Sequence, residues 1–154
     1  MRAILCTMLL FLSSPCWAGM IVGHAAVIDG DTIEIRGQPI RLFGIDAPEE
    51  GQTCKDAGGR RYRCGQWAAQ VLDYRISGDV VYCDPQDTDR SGHVVAICRA
   101  WGEDLSAWMV GLGWALAARN FSTRYVPAEN LARARRAGMW AGEFTPPWEW
   151  HPSR

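Results

Sequence analysis

Residues 27–49 constrain the fold of this chain more than any other segment, because they alternate as two consecutive β-strands do. Ile33 and Ile35 are separated by polar residues, the pattern of a strand with one buried face. A turn beginning at Gly37 leads into a second alternating run that starts at Ile40. The pattern therefore predicts a tight β-hairpin.

Two aspartates lie at the ends of these predicted strands. Asp31 follows the turn signal at Asp29 and precedes the first strand, and Asp46 directly follows the second. Short carboxylates at neighbouring strand ends can converge on one hard cation through oxygen ligands. Arg41 and Glu49 lie close by in sequence. On spacing alone a second interpretation stays open, in which the aspartates form turns and Arg41 is a surface residue.

The order of these residues resembles the thermonuclease, or staphylococcal nuclease-like, family. The resemblance rests on Asp-Gly-Asp-Thr at residues 29–32, then Arg41, then Asp-Ala-Pro-Glu at residues 46–49, and it extends from about His24 to Gly142. It implies an α+β, mainly β fold, namely a five-stranded OB-fold barrel with about three packed helices. The cysteine pattern is also similar to an exported branch of the family named for succinoglycan biosynthesis.

The resemblance assigns roles to the residues of this stretch. It implies a calcium ion held by Asp31, Asp46 and the backbone carbonyl of Ala47, since hard divalent cations prefer oxygen ligands. Glu49 is expected to act as general base or to orient the attacking water. Arg41 is expected to bind the phosphoryl oxygens through its planar fork of donors. The structural alternatives are that Glu49 is a solvated loop acid and that Arg41 pairs with Asp46.

A second catalytic arginine of the family is replaced here. The family pattern T-D-x-x-G-R begins at Thr88, but the residue after Gly92 is His93. Losing a preorganised cation costs on the order of a hundredfold or more in rate. Three alternatives follow: His93 substitutes when protonated, since imidazole titrates near neutral pH; Arg90 or Arg119 reaches the site; or little activity survives. The family's pocket tyrosines are also replaced, at Ser91, Arg119 and Phe121.

The N-terminus has the pattern of a secretory signal peptide over residues 1–18. Arg2 precedes an apolar run, and Ala18 offers a small residue for cleavage. That run is shorter than the roughly 20 residues a membrane-spanning helix needs. We expect a secreted or periplasmic protein with no membrane anchor after cleavage, in which residues 19–154 form a single domain, as a monomer.

Four cysteines remain after residue 18, an even number that suits an oxidising compartment. A hairpin centred near Arg90 would place Cys83 directly opposite Cys98, within disulfide reach. Cys54 and Cys64 would then close the intervening loop. These spacings lack the paired C-x-x-C knuckles of a zinc site.

The charge of the chain argues against a generally basic nucleic-acid-binding protein. The formal net charge is −1, and removal of residues 1–18 takes away Arg2 and makes it more negative. Attraction for phosphate must therefore be local.

Two tryptophans of the tail, Trp148 and Trp150, either stack on bases or dock on the domain's own surface. Five further tryptophans are expected in the core: Trp67, Trp101, Trp108, Trp114 and Trp140.

The function that these features favour is an exported, calcium-dependent nuclease. Its substrate would be single-stranded DNA or RNA, cleaved with little sequence preference. The alternative is a weakly active or inactive domain of the same fold that binds nucleic acid or another anionic polymer, with an exopolysaccharide-related role. The replacement at His93 motivates that alternative.

Overall fold

The computed structural model describes residues 19–151 of this chain. The predicted signal peptide, residues 1–18, lies outside the described residues, as do residues 152–154. Within the described part, no helix has the length and apolar character needed to cross a bilayer.

Short strands dominate the chain, with three α-helices between and after them. The strands are β1 (Ile21–Gly23), β2 (Ala25–Val27), β3 (Thr32–Ile35), β4 (Gln38–Leu42), β5 (Ile45–Asp46), β6 (Cys54–Lys55), β7 (Arg61–Tyr62), β8 (Val81–Thr88), β9 (Val94–Ala100), β10 (Glu103–Asp104) and β11 (Leu116–Ala117). The helices are α1 (Cys64–Ile76), α2 (Leu105–Gly111) and α3 (Val126–Ala134). Two single-turn 3-10 helices follow, Gly138–Ala141 and Pro147–Glu149.

The main sheet curls into a barrel of five strands. Its order is β1-β8-β9-β4-β3-β2, with β4 and β9 parallel and every other pair antiparallel. Only His24 separates β1 from β2, so one bent strand pairs with β8 at one end and with β3 at the other. The two edges of the sheet are thereby joined. The expected mainly-β barrel with three helices is confirmed.

The predicted hairpin is β3–β4, and its residues explain its shape. Arg36 and Gly37 both have positive φ, 53° and 77°, as a two-residue turn between twisted strands requires. Ile33 and Ile40 stand opposite each other and are fully buried. Their alternation with polar residues puts one face of the hairpin in the core and leaves the other for the site.

The helices pack against the strands and contribute buried residues to the same core. Helix α1 buries Ala68 and Leu72 completely, and α2 buries Met109. Asp104 caps α2, since its carboxylate accepts a hydrogen bond from the amide of Ala107 at 3.1 Å. A proline in the first turn of α3 occupies a position whose amide needs no helical partner.

Both disulfides that the sequence predicts are present. Cys83 and Cys98 are directly opposed in the β8–β9 ladder and are fully buried. Cys54 and Cys64 join β6 to the start of α1. The first bond therefore ties two barrel strands together, and the second holds the loop that follows the candidate site.

We expect the double substitution of Cys83 and Cys98 by alanine to lower the free energy of unfolding by about 3 kcal/mol or more. The bond closes a loop with a sequence separation of 15, and a loop of that size restricts the unfolded chain by about 3 kcal/mol. Urea denaturation of residues 19–154 under oxidising conditions measures the change. A variant as stable as its oxidised parent would show that the bond contributes nothing.

The expectation that five tryptophans lie in the core is wrong for two of them. Trp67 is 51% exposed on the outer side of α1, where it stacks on Trp114 with ring centroids 6.4 Å apart. Trp101 is 59% exposed in the turn after β9, with a positive φ of 53°. An aromatic residue at helical spacing can pack on a neighbouring ring at the surface rather than in the core.

Candidate active site

Asp31 lies at the base of a cleft, immediately before β3. It is only 5% exposed, and each carboxylate oxygen has a hydrogen-bond donor. One oxygen accepts from the hydroxyl of Thr32 at 2.9 Å, and the other accepts from the amide of Ala47 at 2.8 Å. The second bond joins the start of β3 to the end of β5. It brings together the strand ends that the sequence pattern predicted to meet.

Asp46 and Arg41 complete the charged centre of the site. Asp46 ends β5, where it stands opposite Leu116 of β11. The Arg41 Nη2 atom lies 3.7 Å from an oxygen of Asp31 and 3.5 Å from one of Asp46. One guanidinium therefore faces two carboxylates at once. Arg41 thus pairs with Asp46, as the structural alternative expects. Its side chain is also partly exposed and lines the cleft.

The site carries more acid than its own arginine balances. Burial, with Asp29 nearby, raises the pKa of Asp31 from 3.8 to about 7 despite the opposing effects of Arg41 and of the Ala47 amide. Burial likewise raises the pKa of Asp46, although Arg41 acts against it. Burial opposes the charge of Arg41, but Asp31 and Asp46 raise its pKa overall. An added cation would relieve this imbalance.

The donor set fits calcium. Carboxylate and carbonyl oxygens are the ligands that this hard ion prefers. Among residues 19–151, no group of three or more His, Cys, Asp or Glu side chains converges on one metal position. A cation here would accordingly rely on Asp31, Asp46, main-chain oxygen and solvent, which leaves room for a substrate oxygen.

We expect the stability of the metal-free protein to depend on Asp31 between about pH 4 and pH 7. Because folding raises its pKa from 3.8 to about 7, the neutral carboxyl stabilises the fold fully below about pH 4. This contribution is lost as the pH rises through about 7. Asp31→Asn should therefore have a larger free energy of unfolding than its parent in this window, by roughly a few kcal/mol.

Urea denaturation of parent and Asp31→Asn in chelator, at several pH values, measures the difference in free energy of unfolding. The matched control is Asp84→Asn, at an exposed carboxylate of β8. A difference between Asp31→Asn and its parent that stays constant over the window would contradict the assignment.

Glu49 lies on the rim of the same cleft and is exposed. Its backbone is fixed by Gln52, a fully buried residue. The Gln52 side chain accepts from the Glu49 amide at 3.3 Å and donates to the carbonyl of Thr145 at 2.7 Å. Gly65 supports the segment from below, because a Cβ there would lie 1.8 Å from the Glu49 carbonyl oxygen. The Glu49 carboxylate is thus exposed, while its backbone is held in place by Gln52 and by the close approach of Gly65.

His93 reaches the cleft from the turn between β8 and β9. Asp89 organises this turn: one of its oxygens accepts from the amides of Ser91 at 2.8 Å and His93 at 2.9 Å. The other oxygen lies 3.3 Å from the His93 Nδ1 atom. Hydrogen bonding from the His93 backbone amide, together with that of Ser91, lowers the pKa of Asp89. A carboxylate beside Nδ1 leaves Nε2 as the ring nitrogen available to a substrate.

Most of the predicted site residues share one cleft of about 420 Å³. It is lined by Asp31, Arg41, Ala47, Glu49 and His93, together with Asp29 and Asp89. Asp46 lines a neighbouring cleft instead. Neither alternative arginine lines the cleft: Arg90 is exposed on its turn, and Arg119 forms an ion pair with Glu129.

Two residues of this site, Asp89 and Gln52, were not predicted from the sequence. Asp89 belongs to the quoted T-D-x-x-G turn, and an Asp followed three residues later by Gly is a turn signal that could have indicated its role. Gln52 offers no such signal, because its partner Thr145 is 93 residues away along the chain.

Comparisons with known proteins indicate the family of this chain. The family model described as staphylococcal nuclease homologue matches residues 39–142. The succinoglycan biosynthesis protein ExoI of Rhizobium meliloti is 40% identical over 80% of this chain, which covers 66% of that relative's length. Protein ParB of Escherichia coli is 30% identical over 97% of this chain and 89% of its own.

A micrococcal nuclease of Shigella flexneri is 29% identical over 97% of this chain and 91% of its own length. The family model covers well over half of the sequence and includes Arg41, Asp46, Glu49 and His93. On the family model, the relatives and the curled barrel together, this chain belongs to the family of staphylococcal nuclease homologues.

Proposed function

We propose that this chain is an exported, calcium-dependent phosphodiesterase that hydrolyses DNA or RNA with little sequence preference. The observation that carries the proposal is the convergence of Asp31, Asp46 and Arg41 beside Glu49 and His93. Similarity to a protein named micrococcal nuclease supports the reaction class. The two disulfides and the signal-like residues 1–18 support export. We further propose that residues 19–154 act as a single domain and as a monomer.

The calcium ion would be held by Asp31, Asp46 and the Ala47 carbonyl. When bound, it neutralises phosphodiester charge and favours ionisation of nearby water. Arg41 donates hydrogen bonds to the non-bridging phosphoryl oxygens, where negative charge accumulates. Its ion pairs with two carboxylates keep the guanidinium in place before substrate arrives.

Glu49 and His93 transfer the protons. Glu49 takes one proton from the attacking water while the water oxygen forms its bond to phosphorus. The bond from phosphorus to the leaving oxygen breaks, and His93 donates a proton to that oxygen from Nε2. Asp89 is a positioning residue, since its carboxylate lies beside Nδ1 and leaves Nε2 as the nitrogen that faces the leaving oxygen.

A second candidate function is binding of an anionic polymer with little or no hydrolysis. The observation that favours it is His93, which stands where the family has an arginine. Similarity to a protein named for succinoglycan biosynthesis supports the same alternative. The two candidate functions differ in whether the protein hydrolyses the polymer that binds in the cleft.

Cleavage of single-stranded DNA by residues 19–154, with calcium or with chelator, separates the two functions. We expect calcium-dependent cleavage that decreases as histidine loses its proton, and His93→Arg should abolish this decline. Absence of cleavage by the parent, together with activity in His93→Arg, would show that the catalytic site has decayed and would contradict the hydrolytic function. Cleavage that persists in chelator would contradict the proposed role of calcium.

A further inference from the structure

A second cleft lies near the catalytic cleft and is lined in part by Asp46, whose carboxylate is 3.5 Å from Arg41 of the catalytic cleft. This second cleft has a volume of about 420 Å³ and is lined by Asp46, Ala117, Ala118, Arg119, Asn120 and Trp148. The β5–β11 pairing accounts for its position, because Ala117 stands opposite Ile45, next to Asp46. A polymer whose phosphate lies near Asp46 is therefore adjacent to both clefts.

Trp148 is the large aromatic surface of the second cleft. Its side chain is 54% exposed, although the segment that carries it is held firmly. Gln52 binds the carbonyl of Thr145 at 2.7 Å, Lys55 pairs with Glu143 at 2.8 Å, and the intervening Pro147 is buried. An aromatic ring held in place before binding loses little conformational entropy when a ligand stacks on it.

Arg119 brings positive charge to the same cleft. It forms an ion pair with Glu129, whose side chain is only 7% exposed, while 53% of the Arg119 side chain remains exposed. The guanidinium has five donors, so the pair with Glu129 leaves donors for a second acceptor. Arg119 and Trp148 also line a further cleft, in which Arg133 is accompanied by the acids Glu129 and Glu143.

We propose that Trp148 and Arg119 form a subsite for the nucleotide adjacent to the scissile phosphate, with the unpaired base stacked on Trp148 and its phosphate at Arg119. The subsite rests on the proposed function, since it takes the strand that continues from Asp46. Aromatic rings bind unpaired bases of any sequence, because every base has a π-face. The subsite therefore selects single-stranded over double-stranded nucleic acid.

The lining of the cleft favours a nucleotide over a sugar unit. A sugar ring carries several hydroxyl groups, each of which needs a polar partner on binding. Apart from Asp46, which serves the catalytic centre, the polar side chains here are Arg119 and Asn120, and two alanines form much of the remaining wall. A flat base beside one phosphate matches this composition.

The test is binding of a short fluorescently labelled oligothymidylate, measured by anisotropy with calcium on a Glu49→Gln background and again in chelator. We expect Trp148→Ala to weaken binding about tenfold or more, and Trp148→Phe to retain most of the affinity. Trp101→Ala is the matched control, because Trp101 is 59% exposed and lines a separate cleft with Tyr74 and Trp108.

The subsite is overturned if Trp148→Ala binds like its parent, if Trp101→Ala weakens binding equally, or if the Glu49→Gln parent binds in neither condition. Binding of an acidic polysaccharide that depends on Trp148, without binding of the oligonucleotide, would likewise overturn the assignment to nucleic acid. Binding that depends on Trp148 in a protein that never cleaves would leave the subsite intact and defeat the hydrolytic function alone.

Discussion

Glu49→Gln should lower kcat for single-stranded DNA by about a hundredfold to ten-thousandfold, the range that general base catalysis contributes. The amide has nearly the shape of the carboxylate but cannot accept the proton of the attacking water. Glu49 is exposed and its backbone is held by Gln52, so the substitution should leave the cleft unchanged. Initial rates at saturating calcium measure the effect, and KM should change little.

Glu50→Gln is the matched control, because Glu50 is the neighbouring exposed acid and does not line the cleft. It should retain the parent rate, and both variants should unfold at the parent's urea concentration. A Glu49→Gln protein with unchanged kcat would show that another group takes the proton.

Arg41→Ala should lower kcat by about a hundredfold or more, as removal of a preorganised donor to a developing oxyanion does. Arg41→Lys should restore only part of the rate, since an ammonium keeps the charge but loses the two-pronged geometry. Arg99→Ala, at an exposed arginine of β9, is the control for loss of positive charge and should cleave at the parent rate.

Calcium binding distinguishes catalysis by Arg41 from mere support of the metal site. The guanidinium lies 3.7 Å from Asp31 and 3.5 Å from Asp46, so it reduces their attraction for a cation. Calorimetry should therefore find calcium binding in Arg41→Ala equal to or tighter than in the parent. A variant that has lost calcium binding together with its activity would assign Arg41 a structural role instead.

Local patterns account for the parts of the fold that were predicted correctly. The β3–β4 hairpin follows from alternation and from the turn at Gly37, and the Asp104 cap from residue type next to an apolar run. The Cys83–Cys98 bond follows from strand pairing across one turn. In each case the interacting residues are close in sequence, so the backbone geometry of one element determines the contact.

Surface exposure of the aromatic residues could not be predicted in the same way. Trp67 and Trp101 are exposed, although their spacing resembles that of core residues. Hydrophobic periodicity reports which face of an element is apolar, but not whether another element covers that face.

The sequence by itself determined the β3–β4 hairpin and the disulfide pairs, because these depend on residue type and on short spacings, and its resemblance to the staphylococcal nuclease-like family indicated the barrel and the residues of the candidate site. Only the tertiary structure decided how these residues are arranged. It placed Asp31 in a buried position with a raised pKa, paired Asp89 with His93, and set Trp148 beside Asp46. Burial and long-range hydrogen bonds depend on packing between segments distant in the chain, and no local pattern encodes them.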